Sequence, residues 1–243
     1  MNPSEQIRPP VYGWAYLLFA THLLFTLSSN YAIIKIVTSE INRPHRFIDR
    51  FINQIEGEGP LRMLDVGCGL GQTALRLASL GHQVMGISNN ETDIENAKES
   101  ARRRGINTCM FEAMDARDIR SNFDKGFFGA VIVCDMLHLM TKEDSLATID
   151  SIKDLTHPGG YNAVWGYLVD PEMSTSDRNS ERMLHPGELA SIYEGDPHWR
   201  VTEAIEEKFL SSLYIGQEHV SSHAGMIARK QTRPASLNPN LNL

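Results

Sequence analysis

Cysteine is scarce in this 243-residue sequence, and clusters of basic residues are absent. The cysteines Cys68, Cys109 and Cys134 lack the spacing of metal ligands, so we expect no metal site. A small, odd number of cysteines is also typical of a reducing compartment and favours a cytoplasmic location. No block of lysine or arginine occurs and the net charge is −7, which argues against a nucleic-acid partner.

Apolar runs alternate with amphipathic segments over residues 43–230, without an internal repeat. The apolar runs predict strands at residues 61–66, 83–87, 109–114, 130–134, 161–168, 199–209 and 223–230. Helical spacing predicts helices at residues 43–54, 73–80, 92–104, 142–155 and 186–194, the third opened by a capping box at Thr92-x-x-Glu95 and the last with Pro186 in its first turn. This alternation predicts one α/β domain with a doubly wound, mostly parallel, seven-stranded sheet.

The most specific pattern is MLDVGCGLGQ at residues 63–72, where glycines at every second position separate a strand from a helix. A strand, a glycine turn and a helix N-terminus together predict a nucleotide site. The spacing is D-x-G-x-G-x-G, not the dinucleotide pattern G-x-G-x-x-G. Asp65, two residues before the first glycine, suits the ammonium and sulfonium of S-adenosylmethionine (SAM) better than the pyrophosphate of NAD. The pattern resembles the first motif of class I SAM-dependent methyltransferases, which implies a Rossmann-like fold.

Polar residues stand at the carboxyl ends of four predicted strands: Asp65, Ser88, Asp115 and Asp135. Because these ends meet at one edge of a doubly wound sheet, we expect a single site built from four separate segments. The resemblance implies cofactor contacts from Asp65, Gly67, Cys68, Gly69 and Cys134 at the methionine end, Ser88 and Asn89 at the ribose, and Met114, Asp115 and Ala116 at the adenine.

The predicted ribose contacts are neutral, because Ser88 stands where such enzymes usually carry an acid. A hydroxyl or amide still binds ribose, with less assistance from charge, so we expect weaker anchoring than usual. The alternative interpretation is that Ser88 and Asn89 only cap the following helix.

The C-terminal half resembles a narrower family, the TehB-type tellurite-resistance methyltransferases. The matching strings are PGGYN at residues 158–162, PGEL at 186–189 with YEG at 193–195, and AGMIARK at 224–230. The resemblance implies an active-site histidine at His219, followed by two arginines. Val220 and Ser222 stand in place of those arginines, which puts an oxyanion substrate in doubt and favours a less anionic acceptor.

The favoured function is methyl transfer from SAM to a small molecule such as a thiol or chalcogen compound. Histidine is the side chain best suited to act as a base near neutral pH, so His219 and His138 are the candidate catalytic residues. The segment GHQVMGISNN at residues 81–90 is also similar to enzymes that methylate lipids and secondary metabolites, so a C-, N- or O-methyltransferase of an apolar acceptor is an alternative. A SAM-binding protein without turnover is a third.

Residues 11–34 carry no formal charge and are long enough to span a bilayer. Polar residues interrupt them, and they lack the basic leader and cleavage site of a secretory signal. We expect residues 1–42 to form an apolar helical cap over the active site or a homodimer interface, with membrane contact through residues 11–34 as the alternative. The methyltransferase domain is expected at residues 43–230, and the polar tail at 231–243 is expected to be disordered.

Overall fold

The computed structural model describes residues 43–168, 184–214 and 217–232, with side chains described outside 43–45 and 209–220. The cap predicted at residues 1–42 and almost all of the C-terminal tail lie outside the described residues. The helices are α1 (Arg43–Gln54), α2 (Gln72–Ser79), α3 (Glu91–Arg104), α4 (Ile119–Asn122), α5 (Lys142–Leu155) and α6 (Glu188–Glu194). The strands are β1 (Arg62–Val66), β2 (Gln83–Ser88), β3 (Cys109–Ala113), β4 (Phe128–Cys134), β5 (Thr156–Leu168), β6 (Trp199–Tyr214) and β7 (Gln217–Lys230).

These strands form one seven-stranded sheet in the order β3-β2-β1-β4-β5-β7-β6. All neighbours are parallel except β7, which runs antiparallel to β5 and β6. The chain leaves β1 towards β2 and β3, then returns to place β4 on the other side of β1, so the carboxyl ends of β1 and β4 flank a crevice. The predicted doubly wound, mostly parallel sheet is confirmed.

Alternate residues of β4 belong to two hydrophobic layers, as the two-residue period of a strand requires. Ala130 and Ile132 pack in one layer with Phe47 of α1, and Val131 and Val133 pack in the other with Ile149 of α5. Burying each such side chain contributes roughly 1.5–3 kcal/mol, so β4 is the centre of the core.

Two predicted helix starts are wrong. Asn90 caps α3, since its Oδ1 accepts hydrogen bonds from the backbone N–H groups of Thr92 and Asp93 at 3.0 and 3.2 Å. Thr92 therefore lies inside the first turn and is not the cap. Helix α6 begins at Glu188 after Gly187, whose φ of 77° breaks the helical path and leaves Pro186 outside.

The closing strands are longer than predicted. β6 continues to Tyr214 and β7 begins at Gln217, because antiparallel pairing satisfies backbone groups whether or not the side chains are apolar. β5 begins at Thr156, which pairs with Phe128 before a register shift. Among the described residues, no helix has the length and hydropathy needed to cross a membrane.

Candidate active site

A cleft of about 600 Å³ opens at the carboxyl ends of β1 to β4, where the topology predicts a ligand site. Seven of the residues predicted to bind the cofactor line it: Gly67, Gly69, Ser88, Asn89, Met114, Asp115 and Ala116. Asp135 and Met136 also line the cleft, although the sequence-based prediction assigned them no cofactor contact. The other lining residues were not predicted as site residues: Asn90, Asp93, Arg117, Leu139, Met140, Thr141 and Asp144. The cleft contains four carboxylates and one guanidinium among its described lining residues, which favours a cationic ligand.

The glycine turn forms one wall of the cleft. Gly67, Gly69 and Gly71 all have positive φ, a conformation that side-chain-bearing residues rarely adopt. A Cβ on Gly67 would lie 2.5 Å from Met136 Cγ, and one on Gly71 would lie 2.6 Å from the ring of Phe111. A Cβ on Gly69 would meet no atom within 4 Å. Packing therefore requires the outer two glycines, whereas the middle one leaves open space in which a ligand can lie against the main chain.

Asp65 lies beneath this turn and does not reach the cleft surface. Its side chain is only 2% exposed, and its Oδ2 has no hydrogen-bond partner among the described residues. Burial raises the pKa of Asp65 to about 7, although the backbone N–H of Ala74 donates to the carboxyl group and opposes that shift. A buried carboxyl oxygen without a partner is costly and is typical of functional sites. Asp65 is therefore placed to influence a ligand in the cleft electrostatically, through the glycine turn, without touching it.

At the end of β2, the residue that caps the next helix is Asn90. Ser88 Oγ accepts a hydrogen bond from the backbone N–H of Asn90 at 3.3 Å, and Asn89 lies exposed in the cleft wall. Neither Ser88 nor Asn89 accepts a bond from a helical N–H of α3. The helix-capping alternative for these two residues is therefore not supported.

At the end of β3, Asp115 is held by a neighbour that the sequence pattern did not reveal. Its carboxylate accepts hydrogen bonds from Arg117 Nε at 2.9 Å and Nη2 at 2.7 Å, and from the Arg117 backbone N–H. These hydrogen bonds from Arg117 hold the pKa of Asp115 below its ordinary value. Asp115 is thus ionised, with its orientation fixed beside Met114 and Ala116.

The two cysteines predicted to contact the cofactor do not line the cleft. Burial raises the pKa of Cys68 and of Cys134 well above the ordinary value, and the charge of Asp65 adds to both shifts. Both side chains pack against the hydrophobic layer that contains Phe47. These thiols stay protonated, so neither is suited to act as a nucleophile.

Asp135 follows Cys134 with a φ of 51°, a left-handed conformation that no other non-glycine residue of the described chain adopts. Its backbone N–H donates to Trp165 O at 2.9 Å, which joins the ends of β4 and β5. Such strained residues concentrate at functional sites. The bend directs Asp135 and Met136 into the cleft.

The two candidate catalytic histidines are placed differently. His138 does not line the cleft; its ring lies 4.5 Å from that of Tyr167, which lies 4.1 Å from that of His223. Burial lowers the pKa of His138, so its imidazole is neutral near pH 7. The backbone of His219 pairs with Ser211 in the β6–β7 hairpin, and its side chain lies outside the described part of the structure.

In the segments that the structure describes, no group of three or more His, Cys, Asp or Glu is arranged to hold a metal ion. The open space at Gly69, the unpartnered carboxyl oxygen of Asp65 and the acidic lining instead fit an elongated cationic ligand such as SAM.

Comparison with known proteins also indicates a SAM-dependent methyltransferase. Residues 63–160 match the model of a family described as a methyltransferase domain. The chain is 32% identical over 120 residues to the probable SAM-dependent methyltransferase TehB of Haemophilus influenzae, covering 49% of this chain and 38% of TehB. It is 28% identical over 161 residues to the 27-O-demethylrifamycin SV methyltransferase of Amycolatopsis mediterranei, covering 64% of this chain and 58% of that one. A third relative is the 23S rRNA methyltransferase RlmD of Xanthomonas euvesicatoria, 30% identical over 56% of this chain and 32% of its own length. The chain thus spans well under two thirds of the length of these relatives.

Solved structures agree on the fold. TehB from Haemophilus influenzae superposes with a TM-score of 0.65 at 21% identity, covering 75% of this chain and 62% of TehB. The cyclase SpnF superposes with a TM-score of 0.64 at 21% identity, covering 77% of this chain and 81% of SpnF. A Burkholderia thailandensis 1,6-didemethyltoxoflavin-N1-methyltransferase, solved with S-adenosylhomocysteine (SAH), superposes with a TM-score of 0.59 at 17% identity, over 77% of each chain.

The sheet topology and the match of residues 63–160 to a methyltransferase domain support the predicted resemblance to class I SAM-dependent methyltransferases, whose cofactor is SAM. The chain is similar to TehB in sequence over 120 residues and in fold, so the predicted likeness to the TehB-type family is confirmed.

Proposed function

We propose that this protein transfers a methyl group from SAM to a small-molecule acceptor. The observation that carries the proposal is the cleft itself, with an open glycine turn above a buried carboxyl group at the carboxyl ends of β1 and β4. A fold alone does not establish chemistry, and the similar cyclase SpnF illustrates this. The proposal therefore rests on the site residues.

Each wall of the cleft has a proposed part in holding the cofactor. Gly67 and Gly69 lie under the methionine end, and the charge of Asp65 favours the ammonium through the turn. Ser88 and Asn89 face the ribose. Met114, Asp115 and Ala116 face the adenine, with Asp115 accepting a hydrogen bond from its amino group. Cys68 and Cys134 support the turn and the end of β4 from the hydrophobic layer beneath.

When bound, SAM supplies a methyl group on a sulfonium that is already a strong electrophile. The protein chiefly has to align the acceptor with it and exclude water, so proximity is the main contribution. A thiolate or chalcogenide needs little further help, whereas an alcohol or carbon acid needs a base. His219 is the proposed base, and the neutral imidazole of His138 is the second candidate.

The leading acceptor class is a small thiol or chalcogen compound, which the resemblance of the sequence to the tellurite-resistance methyltransferases implies. The alternative is an apolar aromatic acceptor, methylated on C, N or O. The partly exposed ring of Tyr167, which packs on the buried ring of His223 near the end of β5, favours it, as does the likeness to the rifamycin methyltransferase. The acidic composition argues against RNA, the substrate type of RlmD. A SAM-binding role without turnover is the least favoured proposal.

Calorimetry with SAM, followed by turnover with a panel of thiols, selenite and apolar aromatic acceptors, tests the function and the acceptor class. His219→Ala should lower turnover at least about tenfold with an alcohol acceptor and much less with a thiol. His157→Ala is the control, since His157 is a partly exposed histidine away from the cleft whose Nδ1 contacts Pro158 O. An unchanged rate in His219→Ala would shift the role of base to His138, tested by His138→Ala. Absence of SAM binding would refute the function.

We also propose that residues 1–42 cap the acceptor side or join two subunits in a cytoplasmic protein. Detergent partition and sedimentation of the full chain, compared with a chain starting at Asn42, distinguish a cap, a dimer interface and a membrane anchor.

A further inference from the structure

The corner of the cleft at the end of β2 has few hydrogen-bond acceptors to offer a ribose. Ser88 Oγ already accepts the N–H of Asn90, and Asn90 Oδ1 accepts the N–H groups of Thr92 and Asp93. β2 ends at Ser88, and the residues that follow it, Asn89 and Asn90, are neutral. A ribose placed here offers two adjacent hydroxyl donors, which a carboxylate accepts best.

Asp93 supplies a carboxylate at this corner. It is the third residue of α3, is partly buried and lines the same cleft as Ser88 and Asn89. The bond from its backbone N–H to Asn90 Oδ1 fixes the start of the helix and hence the position of the Asp93 backbone beside the cleft. Among the described residues it forms no ion pair, whereas Asp115 is bound on both carboxyl oxygens by Arg117.

Helix α3 packs against the glycine turn one helical turn after Asp93, since a Cβ on Gly71 would lie 3.0 Å from Ala97 Cβ. Burial and the charge of Asp65 are the main causes that raise the pKa of the Cys68 thiol, and the charge of Asp93 adds to them. Asp93 precedes Ala97 by four residues, so the two lie on the same face of α3, the face that packs against the glycine turn. β2 lies between β1 and β3 in the sheet, so Asp93 stands between the glycine turn and the Asp115 corner.

We propose that Asp93 is the principal ribose-binding group of this site and accepts the two ribose hydroxyls of the cofactor. This inference rests on the proposed binding of SAM. The competing interpretation is that Asp93 only stabilises the first turn of α3 as an acid near a helix N-terminus. Glu91 also lies in the first turn of α3 and carries the same charge, but it is exposed and does not line the cleft. Glu91→Gln is therefore a matched control.

The test is calorimetry of the full chain with SAM, SAH and the 2′,3′-dideoxy analogue of SAH. Asp93→Ala should weaken SAM and SAH by a similar factor, on the order of tenfold or more, because both carry the same ribose. The dideoxy analogue should bind the unaltered protein more weakly than SAH, and Asp93→Ala should not weaken it further. Asp93→Asn should weaken SAH less than Asp93→Ala does, and Glu91→Gln should bind like the unaltered protein.

Three outcomes would overturn the inference. SAH affinity that is unchanged in Asp93→Ala removes the contact. If Asp93→Ala weakens the dideoxy analogue as much as SAH, Asp93 acts on the fold and not on the ribose. If only the affinity for SAM falls, Asp93 acts through its charge on the cationic ligand. Thermal unfolding of each variant identifies misfolding, in which case Asp93→Asn, which keeps the shape of the side chain, carries the test. Failure of the unaltered protein to bind SAM and SAH would refute the proposed function itself, which distinguishes the two failures.

Discussion

The two halves of the sheet use polar residues in opposite ways. In β1 to β4 the strands are short, and the polar residues after them lie in an open cleft above the incompletely bonded carboxyl group of Asp65. In the half formed by β5, β7 and β6 the strands are long, and the buried Asn162 is bonded on both sides, 2.5 Å from Thr156 Oγ1 and 2.8 Å from the hydroxyl of Tyr193. The first half therefore leaves polar groups available to a ligand, whereas in the second half the buried Asn162 is already satisfied by contacts within the fold.

The largest fall in SAM affinity is expected from a substitution in the glycine turn. Gly69→Ala places a methyl group in the open space of the cleft, so SAM affinity should fall on the order of hundredfold while the fold loses only about 1 kcal/mol from the positive φ. Gly81→Ala is the control, because Gly81 also has positive φ and open surroundings but lies outside the cleft. Equal SAM affinities in the two variants, measured by calorimetry, would show that the space at Gly69 does not receive the ligand.

A matching change in the other half should affect stability alone. Tyr193→Phe removes the acceptor for Asn162 Nδ2, which leaves a fully buried donor unsatisfied and should lower the free energy of unfolding by about 2 kcal/mol. SAM affinity should not change. Tyr161→Phe, whose hydroxyl bonds to Glu58 near the surface, should cost less in the same denaturant titrations. A weaker affinity for SAM in Tyr193→Phe would show that the two halves are coupled.

The buried carboxyl group predicts a pH dependence. The folded-state pKa of Asp65 is about 7, above the ordinary 3.8, so the native state binds more protons than the unfolded state between those values. Its contribution to stability is therefore fully present below about pH 4 and is lost as the pH rises through about 7, a span of roughly 4 kcal/mol at most.

SAM should oppose this loss, because its positive charge favours the ionised form of Asp65. The affinity for SAM should rise up to about tenfold per pH unit below pH 7 and level off above it. Asp65→Asn should remove that slope in calorimetry and flatten the pH dependence of unfolding. Identical pH profiles for the two proteins would exclude Asp65 as the group responsible.

The smallest effect concerns Arg117. Arg117→Ala frees Asp115 and makes the cleft more negative, so the affinity for the cationic SAM should increase about threefold and that for SAH less. Arg103→Ala, an exposed residue of α3 paired with Glu99, is the control for net charge. If Arg117→Ala weakens both ligands equally, its guanidinium contacts the cofactor directly.

The first half of the fold could be predicted closely. The strand, glycine turn and helix at residues 61–80 were located to within about one residue, because hydrophobic period and glycine spacing are local signals. Asp93 and Arg117 were missed because the sequence pattern marks only the residues directly at the ends of strands. Asp93 lies in the first turn of α3, and Arg117 lies two residues after Asp115. The start of α3 was misplaced because Asn90 and Thr92 are both good caps, and only the geometry selects between them.

The parallel sheet, the resemblance to methyltransferases and the edge where the candidate cleft lies could all be predicted from sequence, because period, glycine spacing and strand ends are properties of neighbouring residues. The three-dimensional packing was needed to show that Asp65 is buried, that Asp115 is held by Arg117 and that His138 contacts Tyr167 and does not line the cleft. Those outcomes depend on burial and on contacts between segments brought together by packing, and such contacts leave no pattern in the order of the residues.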